Sequence, residues 1–143
     1  MKVELKKCKV YPRLSKETIA FNAEVWIDGK KAGDVENDGN GGNNRVYFAD
    51  RKLKDKFSAY CKSLPPDQSE YGPLDMDDDL FISLLVEEEQ HKDWLRRQAK
   101  TKVVFTLPKS KKGEYRTVKF NPGQRDKAVE YIRTKYPAAT IHA

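Results

Sequence analysis

The sequence has few of the residues on which much small-protein chemistry depends. It holds two cysteines, Cys8 and Cys61, and two histidines, His91 and His142. The cysteines form no close-spaced ligand motif. A zinc site and a disulfide framework are therefore not expected, nor is any other metal or cofactor. Reduced thiols fit a cytosolic protein. No run approaches the roughly 18 apolar residues of a membrane span. The opening residues Met1 to Lys7 contain no apolar signal-peptide core, so no membrane association is expected. No Ser or Cys nucleophile is tied to a histidine by a local motif, and internal repeats are absent. These absences point away from an enzyme.

Charge is plentiful. Of 143 residues, 35% are charged and 38% hydrophobic, with mean hydropathy −0.84. Aromatics reach 10%, which argues for a real core under a charged surface. The length fits one domain, residues 1–143. The net charge of +6 comes from 28 Lys and Arg against 22 Asp and Glu, and suggests an anionic partner. It is unevenly distributed: net +5 over residues 1–64, −9 over 65–93 and +10 over 94–143. Opposed blocks of this kind can form separate patches or pair between subunits.

The expected fold class is α+β: an N-terminal antiparallel β-meander, two helices, a β-hairpin and a C-terminal helix. Ile19, Phe21, Ala23, Val25 and Ile27 alternate with polar residues, which specifies a strand. Asp28-Gly29 makes a hairpin turn to a strand over Lys31 to Glu36, and Val3 to Tyr11 supplies another strand. Residues 37–45 carry no apolar side chain and read as a loop. Leu53, Phe57, Tyr60 and Leu64 lie on one helix face, capped by Asp50 and ended by Pro65-Pro66. Residues 65–75 read as a linker. A long helix is expected from Asp75 to Lys100, its apolar stripe built from Leu80, Phe81, Leu84, Leu85 and Leu95 and extended by Glu88 and His91. Strands over Lys102–Leu107 and Tyr115–Phe120 precede a helix over Gln124–Lys135.

Three segments could carry chemistry. Gly39, Gly41, Gly42 and Asn43 form a loop whose amides could make an anion-binding nest, with Arg45 at its exit. Trp94-Leu95-Arg96-Arg97 places two guanidiniums about 100° apart on a helix, so one can face a phosphate while the other turns elsewhere. Phe81, Trp94, Phe105 or Tyr115 could support a base. The basic C-terminal third interleaves Lys109, Lys111, Lys112, Arg116, Lys119 and Arg125 with Phe105, Tyr115 and Phe120. That pattern also suits single-stranded nucleic acid, the alternative partner. A third reading is a phosphoesterase, with Asp75 and Asp77 to Asp79 holding a metal and His91 assisting. It ranks last because only one acidic run is visible.

Three stretches together resemble a known family. They are Thr18 to Gly33, with its Asp-Gly-Lys hairpin; Asn37 to Asn43, with Gly-Asn-Gly-Gly; and Asp93 to Gln98 followed by Val103-Val104-Phe105. Their order and spacing resemble the phage anti-Thoeris sponge proteins of the first described type. The resemblance implies a non-enzymatic sponge in the host cytoplasm, counteracting bacterial defence. Its ligand would be a cyclic ADP-ribose isomer, with cyclic oligonucleotides as possible relatives. It also implies dimers or larger homo-oligomers, with ligand near subunit interfaces. On the motif match, Gly39, Gly41, Gly42, Asn43, Arg96 and Arg97 are candidate pocket residues. Arg45, Phe81, His91, Trp94 and Phe105 complete the candidate set from residue chemistry.

Overall fold

The alternation that opens the chain folds as expected. A computed structural model describes residues 1–69 and 71–143 and has an α+β architecture. Strands β1 (Val3–Val10), β2 (Phe21–Ile27), β3 (Lys30–Asn37) and β4 (Arg45–Phe48) form an antiparallel sheet in that order. The β2–β3 turn has φ of 50° at Asp28 and 81° at Gly29. This left-handed pair matches the twist of a tight hairpin, and glycine adopts its half without strain. Pairing of Leu5 with Val25 and of Val35 with Val46 puts their side chains in register. In β1 the register shifts between Lys6 and Lys9, and Lys7 takes φ 51°, the local geometry of a bulge.

One sheet face supplies Leu5, Phe21, Ala23, Val25, Ile27, Ala32 and Val35 to the first core. Helix α1 (Arg51–Ser63) adds Phe57 and Cys61. The Asp50 carboxylate accepts from the Lys52 amide at 2.9 Å and caps it. Phe57 is fully buried, its ring centre 5.4 Å from Phe48 and 5.8 Å from Phe81.

The segment read as a linker contains two short antiparallel strands, β5 (Asp67–Ser69) and β6 (Gly72–Leu74). Helix α2 (Asp78–Ala99) starts three residues later than expected. Asp77 stops extension towards Asp75 by capping: its side chain accepts from the Leu80 amide at 2.8 Å. The buried stripe also differs. Ile82 and Val86 are buried, with Phe81 and Leu85 packed on the same core, whereas Leu80 and Leu84 are half-buried outside it. A helix turns about 100° per residue, so turning the buried face by about one residue step brings Ile82 and Val86 under the sheet in place of Leu80 and Leu84.

Contacts divide the described residues into two compact units, Met1–Gln90 and His91–Ala143. In the second, β7 (Lys102–Thr106) lies between β8 (Arg116–Lys119) and β9 (Thr140–Ile141), all antiparallel. Val103, Val104 and Phe105 are buried, as expected of a central strand. Helix α3 (Arg125–Lys135) covers one face, where Ala128 and Ile132 join Val103 and Phe105 in a second core. Besides β5 and β6, two further strands were not expected. β4 consists of only four residues after a glycine-rich loop, and β9 lies in what reads as a tail. Both extend a sheet at its edge, where a partner strand completes what local propensity leaves marginal. Among the described residues, no helix is long and apolar enough to cross a membrane.

Candidate functional site

The glycine-asparagine loop joins β3 to β4, and its backbone groups are held from within. Asn37 is buried at 8% exposure. Its side-chain oxygen accepts from the Thr18 hydroxyl and the Gly39 amide, both at 2.8 Å. Its side-chain nitrogen donates to the Gly42 carbonyl and the Asn44 side-chain oxygen, both at 3.0 Å. The Gly41 amide donates to the Thr18 hydroxyl at 3.3 Å. The Gly39 carbonyl accepts from the amides of Lys16, Glu17 and Thr18. Gly39 has φ 85°, and a side-chain carbon there would stand 2.1 Å from the Leu14 carbonyl oxygen. The position is thus closed to other residues by both conformation and space. The amides of Gly39 and Gly41 therefore do not form an open nest: Gly39 donates to Asn37 and Gly41 to Thr18, while the Gly39 carbonyl fastens the loop to the segment before β2. Gly42 and Asn43 are exposed beside them.

Arg45, at the start of β4, sits beside carboxylates: its guanidinium lies 3.7 Å from Glu36 and 3.5 Å from Asp38. On α2, Arg96 is likewise paired with Asp93, and Arg97 is exposed. Phe81 serves the first core, edge-on to Phe57 and to Tyr60. Phe105 serves the second core at 2% exposure, 5.6 Å from the Tyr136 ring. Phe105 keeps almost no surface for a ligand, and Phe81 is half-buried.

His91 and Trp94 belong to an aromatic cluster in the second unit. Their rings stack at 5.9 Å, and Tyr115 lies 5.1 Å from His91 and 5.4 Å from Trp94. The Tyr115 hydroxyl and His91 Nε2 share a hydrogen bond of 3.1 Å. His142 meets Tyr115 edge-on at 5.5 Å, and its Nε2 is 2.9 Å from the Thr106 hydroxyl. Both histidines of the chain thus stand around one tyrosine. Of the expected site residues, Gly39 to Arg45 and Phe81 lie in the first unit, and His91, Trp94, Arg96, Arg97 and Phe105 in the second.

The second unit also has an opening elsewhere. A cavity of about 650 Å³ is walled by Thr101, Lys102, Lys119, Phe120, Asn121 and Lys127, among others. Gln124, which precedes α3 without a side-chain cap, also lines it. Three lysines, an asparagine and a glutamine share this wall with the half-buried Phe120, and among the described residues no Asp or Glu lines it. Among the described residues, none of these lysines has an ion pair. Sequence reasoning counted Lys119 and Phe120 in a basic-aromatic stretch but did not place them in a site. Lys119-Phe120-Asn121 leading into Gln124 is the signal that marks them.

The acidic run at the head of α2 is divided among separate tasks. Asp77 caps the helix, Asp78 accepts from the Ser58 hydroxyl at 2.5 Å, and Asp79 accepts from the Asn44 amide at 2.7 Å. Among the described residues, no three Asp, Glu, His or Cys side chains gather as a metal site. Burial pushes the Cys61 thiol up to about 12, and the nearby Asp78 and Asp77 charges act in the same direction. Cys61 is therefore held as the unreactive thiol. Comparison with protein-family models, curated proteins and solved structures gives no match.

Proposed function

We propose that the protein binds a small phosphorylated nucleotide signal and sequesters it unchanged, with phosphate seated between Lys102, Lys119 and Lys127. The observation that carries this reading is the sign of the cavity wall: three lysines and no carboxylate. Phe120 offers a ring to a base, and Asn121 and Gln124 offer amides to its edge or to a ribose. The volume, about 650 Å³, is in the usual range of small-ligand sites. A cyclic ADP-ribose isomer, the ligand implied by the family resemblance, is the specific form of the proposal. Action in the host cytoplasm as a homo-oligomer belongs to the same reading.

Calorimetry against cyclic ADP-ribose isomers and cyclic di- and trinucleotides tests it. Binding to at least one is expected, with the ligand recovered intact after heat denaturation. A charge-assisted hydrogen bond contributes about 1.5–3 kcal/mol, so Lys119→Ala should weaken binding about 10- to 100-fold. Absence of binding across the panel would overturn the proposal.

A second reading draws on one further observation: Lys119 continues an exposed edge strand that also carries Arg116 and Thr117. A row of that kind suits successive phosphates of a single-stranded nucleic acid. Such binding should weaken steeply with salt because counterions are released. A gel shift at two salt concentrations separates the two readings.

A further inference from the structure

The first unit has a cavity of its own, about 180 Å³, beside the glycine-asparagine loop. Its floor is apolar: Ile19, Phe21 and Val86. Its polar wall is Thr18, Asn37, Gly42, Asn44, Asp79, Ser83 and Glu87, and almost every donor in that wall already has an acceptor. The Thr18 hydroxyl donates to Asn37, and the Asn37 side-chain nitrogen donates to Gly42 and Asn44. The Asn44 backbone amide donates to Asp79 Oδ1. The Asn44 side-chain nitrogen donates to the Asp79 carbonyl at 3.1 Å and to the Ser83 hydroxyl oxygen at 2.9 Å. The charged groups that remain are acceptors only: Asp79 Oδ2 and the Glu87 carboxylate, beside the Ser83 hydroxyl, which can both donate and accept. A carboxylate is an acceptor only, so such a wall repels phosphate and favours a hydrogen-bond donor with positive charge.

We propose that this cavity binds an alkylguanidinium or alkylammonium group, with its stem on the half-buried Ile19 and its charged head at Asp79 and Glu87. The selectivity is the reverse of the one the glycines suggest: the loop beside the cavity has turned donors inward, and α2 brings carboxylates to the opening. The same chemistry could arrive as a free amine or as a lysine or arginine side chain of another protein.

The test follows backbone and side-chain amide signals of the full chain by NMR during titration. The probes are n-butylguanidinium, n-butylammonium, n-butanol and n-butyl phosphate. Saturable shifts at Asn37 and Asn44 are expected with the two cations and not with the alcohol or the phosphate. Nα-acetyl-arginine methylamide distinguishes the sources: binding as tight as n-butylguanidinium points to a protein-borne side chain, and markedly weaker binding to a free amine. Glu87→Gln removes charge without touching the bonds that hold the loop, and should weaken cation binding about tenfold. Asp79→Asn keeps an acceptor for the Asn44 amide and should do the same. Shifts equal for cation and alcohol, no saturable shift, or affinity unchanged in both variants would each overturn the proposal.

Discussion

Residues 1–90 carry 14 basic and 18 acidic side chains, a net of −4, whereas residues 91–143 carry 14 and 4, a net of +10. In the first unit charges meet opposite charges. Arg45 faces Glu36 and Asp38, and Lys31 lies 3.1 Å from Glu24 and 3.4 Å from Asp34. The Lys31 ammonium, followed by the Trp26 indole, holds the Glu24 carboxyl below its ordinary value. The second unit has too few acids to do this. Some of its cations lie over rings instead, as Lys135 and Arg116 do over Tyr136. Three others line an open cavity. The difference teaches that the uncompensated positive charge lies in the second unit and not beside the glycine-rich loop.

The largest expected effects concern the cores. Phe57→Ala should cost about 3–5 kcal/mol and Ile132→Ala about 2–5 kcal/mol. Hydrogen exchange then sharpens the comparison. Protection lost by Phe57→Ala should concentrate in residues 1–90, and protection lost by Ile132→Ala in residues 91–143. Uniform loss in both variants would break the division into units. Next comes the loop. Gly39→Ala forces a side chain into left-handed backbone and should cost about 1–3 kcal/mol in urea denaturation. Gly42→Ala, with open space around it, should stay within about 0.5 kcal/mol. Equal effects would mean that the loop is not fastened where Gly39 meets Leu14.

Cys61 gives a pH-dependent effect, small for each step in pH. Its native thiol is raised to about 12, and an unfolded thiol ionises near 9. The stabilisation is complete below about pH 9. As pH rises towards 12, the unfolded chain releases a proton that the native chain keeps, so stability falls by up to about 1.4 kcal/mol per pH unit. Cys61→Ala should remove that slope, read as the difference between two denaturation series. Smallest of all, Lys119→Gln and Lys127→Gln should leave the melting temperature unchanged or raise it, because each removes repulsion without breaking an ion pair. A marked fall would show that these lysines serve the fold.

The strands and helices set by periodicity were the readable part of this chain. Phe21 to Ile27 alternates over seven residues, and one face is buried as that alternation requires. Asp28-Gly29 and Asp50 act through local backbone chemistry and were equally plain. What escaped depends on distant partners. Thr140-Ile141 becomes a strand only because Phe105 and Thr106 lie beside it. On α2, hydrophobicity favours Leu80 and Leu84, but the sheet selects Ile82 and Val86. The candidate site was less legible for the same reason. Composition identifies Gly39 and Gly41 as unusual, yet it cannot show that Asn37, Thr18 and Leu14 occupy the space around them. Nor can it show that Lys102, Lys119 and Lys127, far apart in sequence, share one wall.

The irregular first strand has a bearing on self-association. β1 forms one rim of its sheet, and a rim with unpaired backbone groups is ordinarily a template for another chain. Here the rim carries Lys2, Lys6, Lys7 and Lys9 on or beside it and bends at Lys7. Two copies brought rim to rim along β1 would oppose ammonium groups and mismatched ladders. Rim-to-rim pairing through β1 is therefore disfavoured, and a sheet continued between copies would have to use another edge.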